Sequence, residues 1–334
     1  MKYLIVKGVA GLGNRLSTLA HAIGYAQKTG RTLLVDWSDG VYGIAGKNVF
    51  YPYFKLNDVP YIKKIDDISN EDLADSYPPL WGENPEANLY DLYFRAGGCF
   101  SKKIIPNRLI KGAFSKIHNF WHPKEDCICK KSDLRAFVAV FDKKDIPFGG
   151  KYRKNIKQSV VFFADFLPKF SYEILHKNIS LSDKMQDEVN HITEQIGIGE
   201  NTVGVHVRMT DLQPKSSLEH LMKKINNIKP PHSNIFLATD NERVEVFFRQ
   251  RYPNTVFLPK HRLETTGEQT GEQTGVHHRS IRTGDFSQAE TILKESILDM
   301  WLLSKCEYLI RQENSSFSKI SAIMKNQPEK TFIW

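Results

Sequence analysis

Cysteine is scarce: four in 334 residues are too few for a disulfide framework. Cys127 and Cys129 stand one residue apart, with His118 and His122 upstream. Common zinc knuckles want two to four residues between cysteines, so this spacing fits them poorly. Lys124, Lys130 and Lys131 make the same stretch read as a basic surface loop. No Asp-x-Asp pair occurs anywhere in the chain, so the simplest paired-carboxylate seat for a divalent ion is missing and no metal is expected. No uninterrupted apolar run reaches the roughly 18 residues of a membrane span. Lys7 and Gly8 cut the first apolar stretch, and Asn14, Arg15 and His21 interrupt the next, so the amino terminus does not read as a signal peptide. The expectation is a soluble, cytoplasmic chain with no integral membrane segment.

What is present describes a globular protein. Hydrophobic residues make up 41% and charged residues 25%, which excludes wholesale disorder. The net charge of +8 permits an anionic ligand without demanding one. The length suggests two domains.

The order of elements is α/β. Tyr3 to Val6 reads as a buried strand, and Gly8, Gly11 and Gly13 as turn residues. Leu16, Leu19, Ile23 and Ala26 recur at helical spacing up to a stop at Gly30, and Thr32 to Asp36 reads as a parallel second strand. Val41 to Gly150 has weak periodicity and reads as the elaborated remainder of a first domain. A second series begins near Ser180. Its helix is capped by Ser182 or Asp183, and strands follow at 202–207, 234–238, 256–258 and 308–310. Helices fall at 242–251 and 288–305, and a last one follows Phe317. The pattern predicts two doubly wound halves, an amino-terminal 1–180 and a carboxyl-terminal 181–334. Ligands of such sheets sit beyond the carboxyl ends of the strands. The polar groups there are Arg208 to Asp211, Thr239–Asp240 and Asn314 to Phe317.

Between them, Gly267 to Gly275 holds Gly-Glu-Gln-Thr twice. With nothing apolar to bury it reads as a mobile loop, either a lid or, preferred on composition, the product of replication slippage.

The glycine turn invites a dinucleotide reading, with Asp36 as the acidic partner. The third position of that fingerprint falls on Leu16, where glycine or alanine is needed. No Lys-Ser/Thr follows, so it is no Walker loop. A strand-to-helix turn remains, with Gly13, Asn14 and Arg15 able to meet a sugar or an anion. The cluster at 205–211 is more specific. Arg208 can fork onto a phosphate, and His206 could donate to one. The plain alternatives are a satisfied core histidine and a structural Arg208–Asp211 ion pair.

These motifs carry a resemblance. Gly11-Leu-Gly-Asn-Arg15, with Tyr25-Ala-Gln-Lys-Thr-Gly-Arg-Thr-Leu33 behind it, resembles the nodulation-type fucosyltransferases. His206-Val-Arg-Met-Thr-Asp211 and Phe236-Leu-Ala-Thr-Asp240 resemble the first two motifs of the α1,6-fucosyltransferase family. Leu298-Asp299-Met-Trp-Leu-Leu-Ser304 with Ile310-Arg-Gln-Glu-Asn-Ser-Ser-Phe317 resembles the third. The resemblance implies a two-domain GT-B fold with GDP-fucose in the carboxyl-terminal half and a saccharide acceptor beside the amino-terminal half. It implies that Arg208 holds the donor pyrophosphate, that Asp240 and Asp299 maintain the donor site, and that Ser316 lies near the phosphates. Gly13, Asn14, His206, Ser315 and Phe317 complete the expected donor set. Met209 departs from the second arginine of the mammalian-type enzymes, and Ser216 from their glutamate base. Asp211 and Glu219 are the base candidates.

The expected activity is inverting, metal-independent transfer of fucose to an oligosaccharide, with an N-acetylglucosamine-containing glycan as one acceptor. The aromatic middle (Tyr51, Tyr53, Tyr77, Trp81, Tyr90, Tyr93) offers one or two faces for sugars, the rest being core. The alternatives are another sugar nucleotide on the same fold, a non-catalytic glycan binder, or a nucleic-acid binder. The dispersed basic residues and the lack of a legible recognition module argue against the last, so no nucleic acid is expected as a partner.

Overall fold

The computed structural model describes residues 1–77, 79–87, 156–164, 171–209, 214–228, 230, 233–260 and 286–334. Asp211, the 267–275 repeat, Tyr90, Tyr93 and the Cys127–Cys129 stretch lie outside the described residues.

The strands, in chain order, are β1 (Tyr3–Lys7), β2 (Thr32–Asp36), β3 (Phe54–Leu56), β4 (Tyr61–Ile62), β5 (Ser76–Tyr77) and β6 (Val160–Phe163). They continue with β7 (Ile179–Leu181), β8 (Thr202–Val207), β9 (Asn234–Thr239), β10 (Thr255–Val256), β11 (Tyr308–Arg311) and β12 (Thr331–Ile333). The main helices are α1 (Leu12–Thr29), α2 (Tyr172–Asn178), α3 (Asp183–Gln195), α4 (Leu218–Ile228), α5 (Glu242–Arg251), α6 (Ala289–Lys305) and α7 (Ser316–Lys325). Two five-stranded parallel sheets result, ordered β4-β2-β1-β6-β5 and β10-β9-β8-β11-β12. A short antiparallel pair joins β3 to β7.

Parallel sheets are covered on both faces, so their central strands are apolar throughout. All five residues of β1 and all six of β8 are buried accordingly. Gly30 ends α1 in the left-handed conformation that glycine tolerates, with φ 64°. Ser182 caps α3 by accepting from the Met185 amide at 3.4 Å.

Six strands, β3 to β7 and β12, are absent from the sequence reading, and β10 is displaced. β6 lies inside the first sheet, between β1 and β5. Only four residues long and isolated after a stretch without periodicity, it gave no alternating signal to read. β12 extends the second sheet beyond the expected final helix. β10 covers Thr255–Val256 rather than 256–258.

In each sheet the chain winds outward from a central strand and then returns to its other side. The strand order therefore reverses between β1 and β6, and again between β8 and β11. Such reversals open a crevice at the carboxyl ends of the strands. Helix α7 links the two halves, packing on α6 of its own half and on α1 and α2 of the other. Gly13 permits this. A Cβ there would stand 2.6 Å from the Ser316 carbonyl carbon and 2.7 Å from the Phe317 nitrogen. The starts of α1 and α7 thus meet backbone to backbone.

Candidate active site

The exit of β8 is the centre of the candidate site. His206 is buried, and its ring stacks on Phe317 with centroids 5.1 Å apart. Burial pushes its imidazole down to about pKa 3, with Arg208 and Lys260 adding to the effect. The ring is therefore neutral at ordinary pH and carries no charge toward a phosphate. It is not a satisfied core histidine either, because buried Nδ1 has no hydrogen-bond partner among the described residues. A buried polar atom without a partner is costly and calls for an explanation.

Arg208 reaches the surface of the crevice. Its Nε lies 3.9 Å from Asp240 Oδ2, each side chain 20% exposed. Asp240 Oδ1 accepts from the Met209 amide at 3.0 Å. Among the described residues Arg208 pairs with Asp240, on the neighbouring strand end. Asp299, buried on α6, pairs with Lys260, whose Nζ also donates to the Thr239 carbonyl at 3.2 Å. Asp299 therefore braces the end of β9, one residue before Asp240.

The start of α7 closes the site from the β11 side. Ser315 occupies the N-cap position, yet its side chain caps no amide, and its buried Oγ has no partner among the described residues. Ser318 Oγ is in the same condition, as is Asn14 Oδ1 at the start of α1. A helix amino terminus with bare amides and nearby unpartnered hydroxyls suits an anion. Ser316 contributes its backbone to the Gly13 approach.

The glycine turn of the first half is more occupied than the sequence suggests. The Leu12 amide donates to Tyr42 Oη at 2.8 Å, and the Asn14 and Arg15 amides turn back to the Gly11 carbonyl. Arg15 points inward to Asp39 Oδ2 at 2.6 Å, with its guanidinium beside Trp37 and Tyr42. Burial pushes the Asp39 carboxyl up, outweighing the pull of Arg15. Arg15 is buried and paired with Asp39 through Nη2, while its Nη1 has no hydrogen-bond partner among the described residues.

Glu219 stands exposed in the first turn of α4, and Ser217 holds its carboxyl below the usual range. A general base gains from a pKa near the operating pH, so both facts work against that role. Among the aromatics, Trp81 is core, stacked on Phe162 and donating to the Ala87 carbonyl. Tyr51 donates to the Ile62 carbonyl, and Tyr53 leans toward Glu290. Tyr77 is half-buried. No group of three or more His, Cys, Asp or Glu that could hold a metal occurs among the described residues. No helix there is long and apolar enough to cross a membrane.

Residues 1–95 match the family model for nodulation protein Z (NodZ). The resemblance carried by the sequence motifs is borne out over a longer span as well. Nodulation protein Z of Azorhizobium caulinodans is 22% identical over 337 residues, covering 94% of this chain and 86% of the relative. The crystal structure of the fucosyltransferase NodZ from Bradyrhizobium superimposes with a TM-score of 0.58 at 18% identity, covering 96% of this chain and 93% of that one. NodZ α-1,6-fucosyltransferase soaked with GDP-fucose gives the same score and identity, covering 97% and 93%. These likenesses establish the fold as the GT-B arrangement that the family resemblance implies.

Sequence reasoning missed three residues around the site. Gln312, Trp334 and Lys260 are, respectively, a buried amide, an indole and an ammonium that hold the strand ends in place. Gln312 lay inside a motif already singled out; the other two had no local signal.

Proposed function

We propose that this chain is a fucosyltransferase that moves fucose from GDP-fucose to an oligosaccharide acceptor, inverting the anomeric centre. One observation carries the reading. The second switch point carries part-exposed Arg208 and the amino terminus of α7, with Ser315 Oγ and His206 Nδ1 buried and without a partner among the described residues. The relatives named NodZ, one of them soaked with GDP-fucose, support the choice of donor.

In this reading residues 181–334 hold the donor and residues 1–180 the acceptor. Arg208 and the α7 amides, with Ser315 and Ser316, take the diphosphate. Asp240 and Asp299 keep the strand ends in register, while His206 and Phe317 wall the pocket. Gly13 and Asn14 close it from the first half. A base takes the proton of the acceptor hydroxyl, whose oxygen bonds to the anomeric carbon from the face opposite the diphosphate. The bond from that carbon to the β-phosphate oxygen breaks, and GDP departs with the electron pair. Arg208 and the helix start offset the negative charge that develops there. Exposed Glu219 suits the base poorly, which leaves Asp211 as the base of this proposal.

The fixed cation makes a metal unnecessary. The test is transfer from GDP-fucose in excess EDTA, against added magnesium or manganese, alongside thermal shift with a panel of sugar nucleotides. Unchanged rates in EDTA and the largest shift with GDP-fucose are expected, since a bound donor raises apparent stability by mass action. A larger shift with another sugar nucleotide would reassign the donor. Loss of activity in EDTA with rescue by manganese would make one of the strand-end aspartates a metal ligand.

A further inference from the structure

β8 and β11 stay paired only as far as Val205 and Ile310. Beyond that rung the strands part to open the crevice, and side chains replace the backbone ladder. The Arg208 amide donates to Gln312 Oε1 at 2.8 Å. Gln312 Nε2 in turn donates to Asn314 Oδ1 at 3.0 Å. Asn314 leads directly into Ser315 and the start of α7. One amide, 1% exposed, therefore spans the switch point, with its oxygen on the Arg208 peptide and its nitrogen on the loop before α7. Trp334 adds a second brace, its Nε1 donating to the His206 carbonyl at 3.0 Å.

We propose that Gln312 is a positioning residue that fixes the Arg208 backbone relative to the α7 amino terminus, so that both address the same diphosphate. This rests on the nucleotide-sugar reading of the site. Gln312 carries no charge, so its contribution is geometric. A guanidinium recognises phosphate through a planar fork, which rewards exact aim more than mere charge. Small misplacements of such a group carry large costs in a transition state. Without the Gln312 oxygen the part-buried Arg208 amide must turn toward another acceptor, and the side chain turns with it.

The experiment uses the full chain and GDP as probe, by calorimetry, with thermal midpoints in parallel. Gln312→Met keeps length and burial but removes both hydrogen-bonding ends. GDP affinity should fall roughly ten-fold, the scale of one lost buried partner, and the donor KM should rise with it. Arg208→Lys lacks the fork, so adding Gln312→Met to it should weaken GDP little further. Full additivity of the two losses overturns the proposal, because Gln312 would then act independently of Arg208. Unchanged GDP affinity in Gln312→Met overturns it as well. Should that variant not fold, Gln312→Asn is read the same way, since its amide falls one methylene short of the Arg208 nitrogen. A parent chain that binds no GDP refutes the nucleotide reading itself, a result distinct from a change confined to the variants.

Discussion

The two switch points of this molecule share a topology and differ in what they do with charge. At the first, Lys7 and Asp36 pair at 2.6 Å, and Arg15 and Asp39 pair at 2.6 Å with side chains 0% and 2% exposed. Tyr42 takes the first amide of α1. At the second, Arg208 and Asp240 stand 3.9 Å apart and 20% exposed, while the α7 start has a serine that caps nothing. The first turn has spent its arginine on the fold. The second keeps its arginine at the crevice, and each turn holds buried atoms without a partner among the described residues, Asn14 Oδ1 and Arg15 Nη1 at the first, His206 Nδ1 and Ser315 Oγ at the second. Two strand-to-helix turns that each carry an arginine thus divide into scaffold and candidate site. What divides them is the acid within reach: Asp39 two residues beyond Trp37 encloses Arg15, while Asp240 also serves the Met209 amide.

The same substitution in both places should give opposite readouts. Arg15→Met leaves the Asp39 carboxylate buried and unpaired, which costs about 3–5 kcal/mol. Urea unfolding measures this, and the fraction still folded should bind GDP nearly as the parent does. Arg208→Met breaks only a long, part-exposed pair, so stability should change by less than about 1 kcal/mol. Transfer should fall on the order of 100-fold, as when one preorganised transition-state donor is lost. If Arg208→Met bound GDP as tightly as the parent, the division of labour between the turns would collapse.

Gly13→Ala tests where the two turns touch. A Cβ at 2.6 Å from the Ser316 backbone cannot be housed without moving α1 or α7. Overpacking of this kind costs about 1–3 kcal/mol. GDP affinity should drop with stability, because the shift displaces the α7 start. A variant as stable as the parent would show that the helices separate freely and that the close approach is incidental.

Much of this arrangement was legible in the sequence, for local reasons. The apolar runs of β1, β2, β8 and β9 declare buried parallel strands, and Gly30 and Ser182 mark helix ends by their own chemistry. Arg208 and Asp240 were found because each follows a strand. What escaped was long-range. β6 is four residues long and acquires its place inside the sheet only by pairing with β1 across more than 150 residues. The burial of Arg15 depends on Asp39, Trp37 and Tyr42 folding over it, which no spacing announces. Gln312 reads as an ordinary loop glutamine until β8 and β11 part around it.

The last effect depends on pH and concerns His206, whose Nδ1 has no partner among the described residues. In the folded chain its imidazole takes a proton only near pH 3, against 6.5 in its ordinary setting, because burial opposes the charge and Arg208 and Lys260 repel it. Between those values the unfolded chain binds the extra proton and the folded chain does not. Stability therefore rises with pH across that window, is fully present above pH 6.5 and is lost as pH falls toward 3. One such proton contributes a slope of at most about 1.4 kcal/mol per pH unit. His206→Phe keeps a ring against Phe317 and removes the titration. Its stability, measured by urea unfolding from pH 7 to pH 4, should gain on the parent by that slope as the solution is acidified. GDP binding by the parent should be flat from pH 6.5 to 8, since the ring is neutral throughout. A parent and variant that lose stability in parallel on acidification would mean that His206 is reached by water and ionises normally. The second turn would then be more open than its buried Nδ1 indicates.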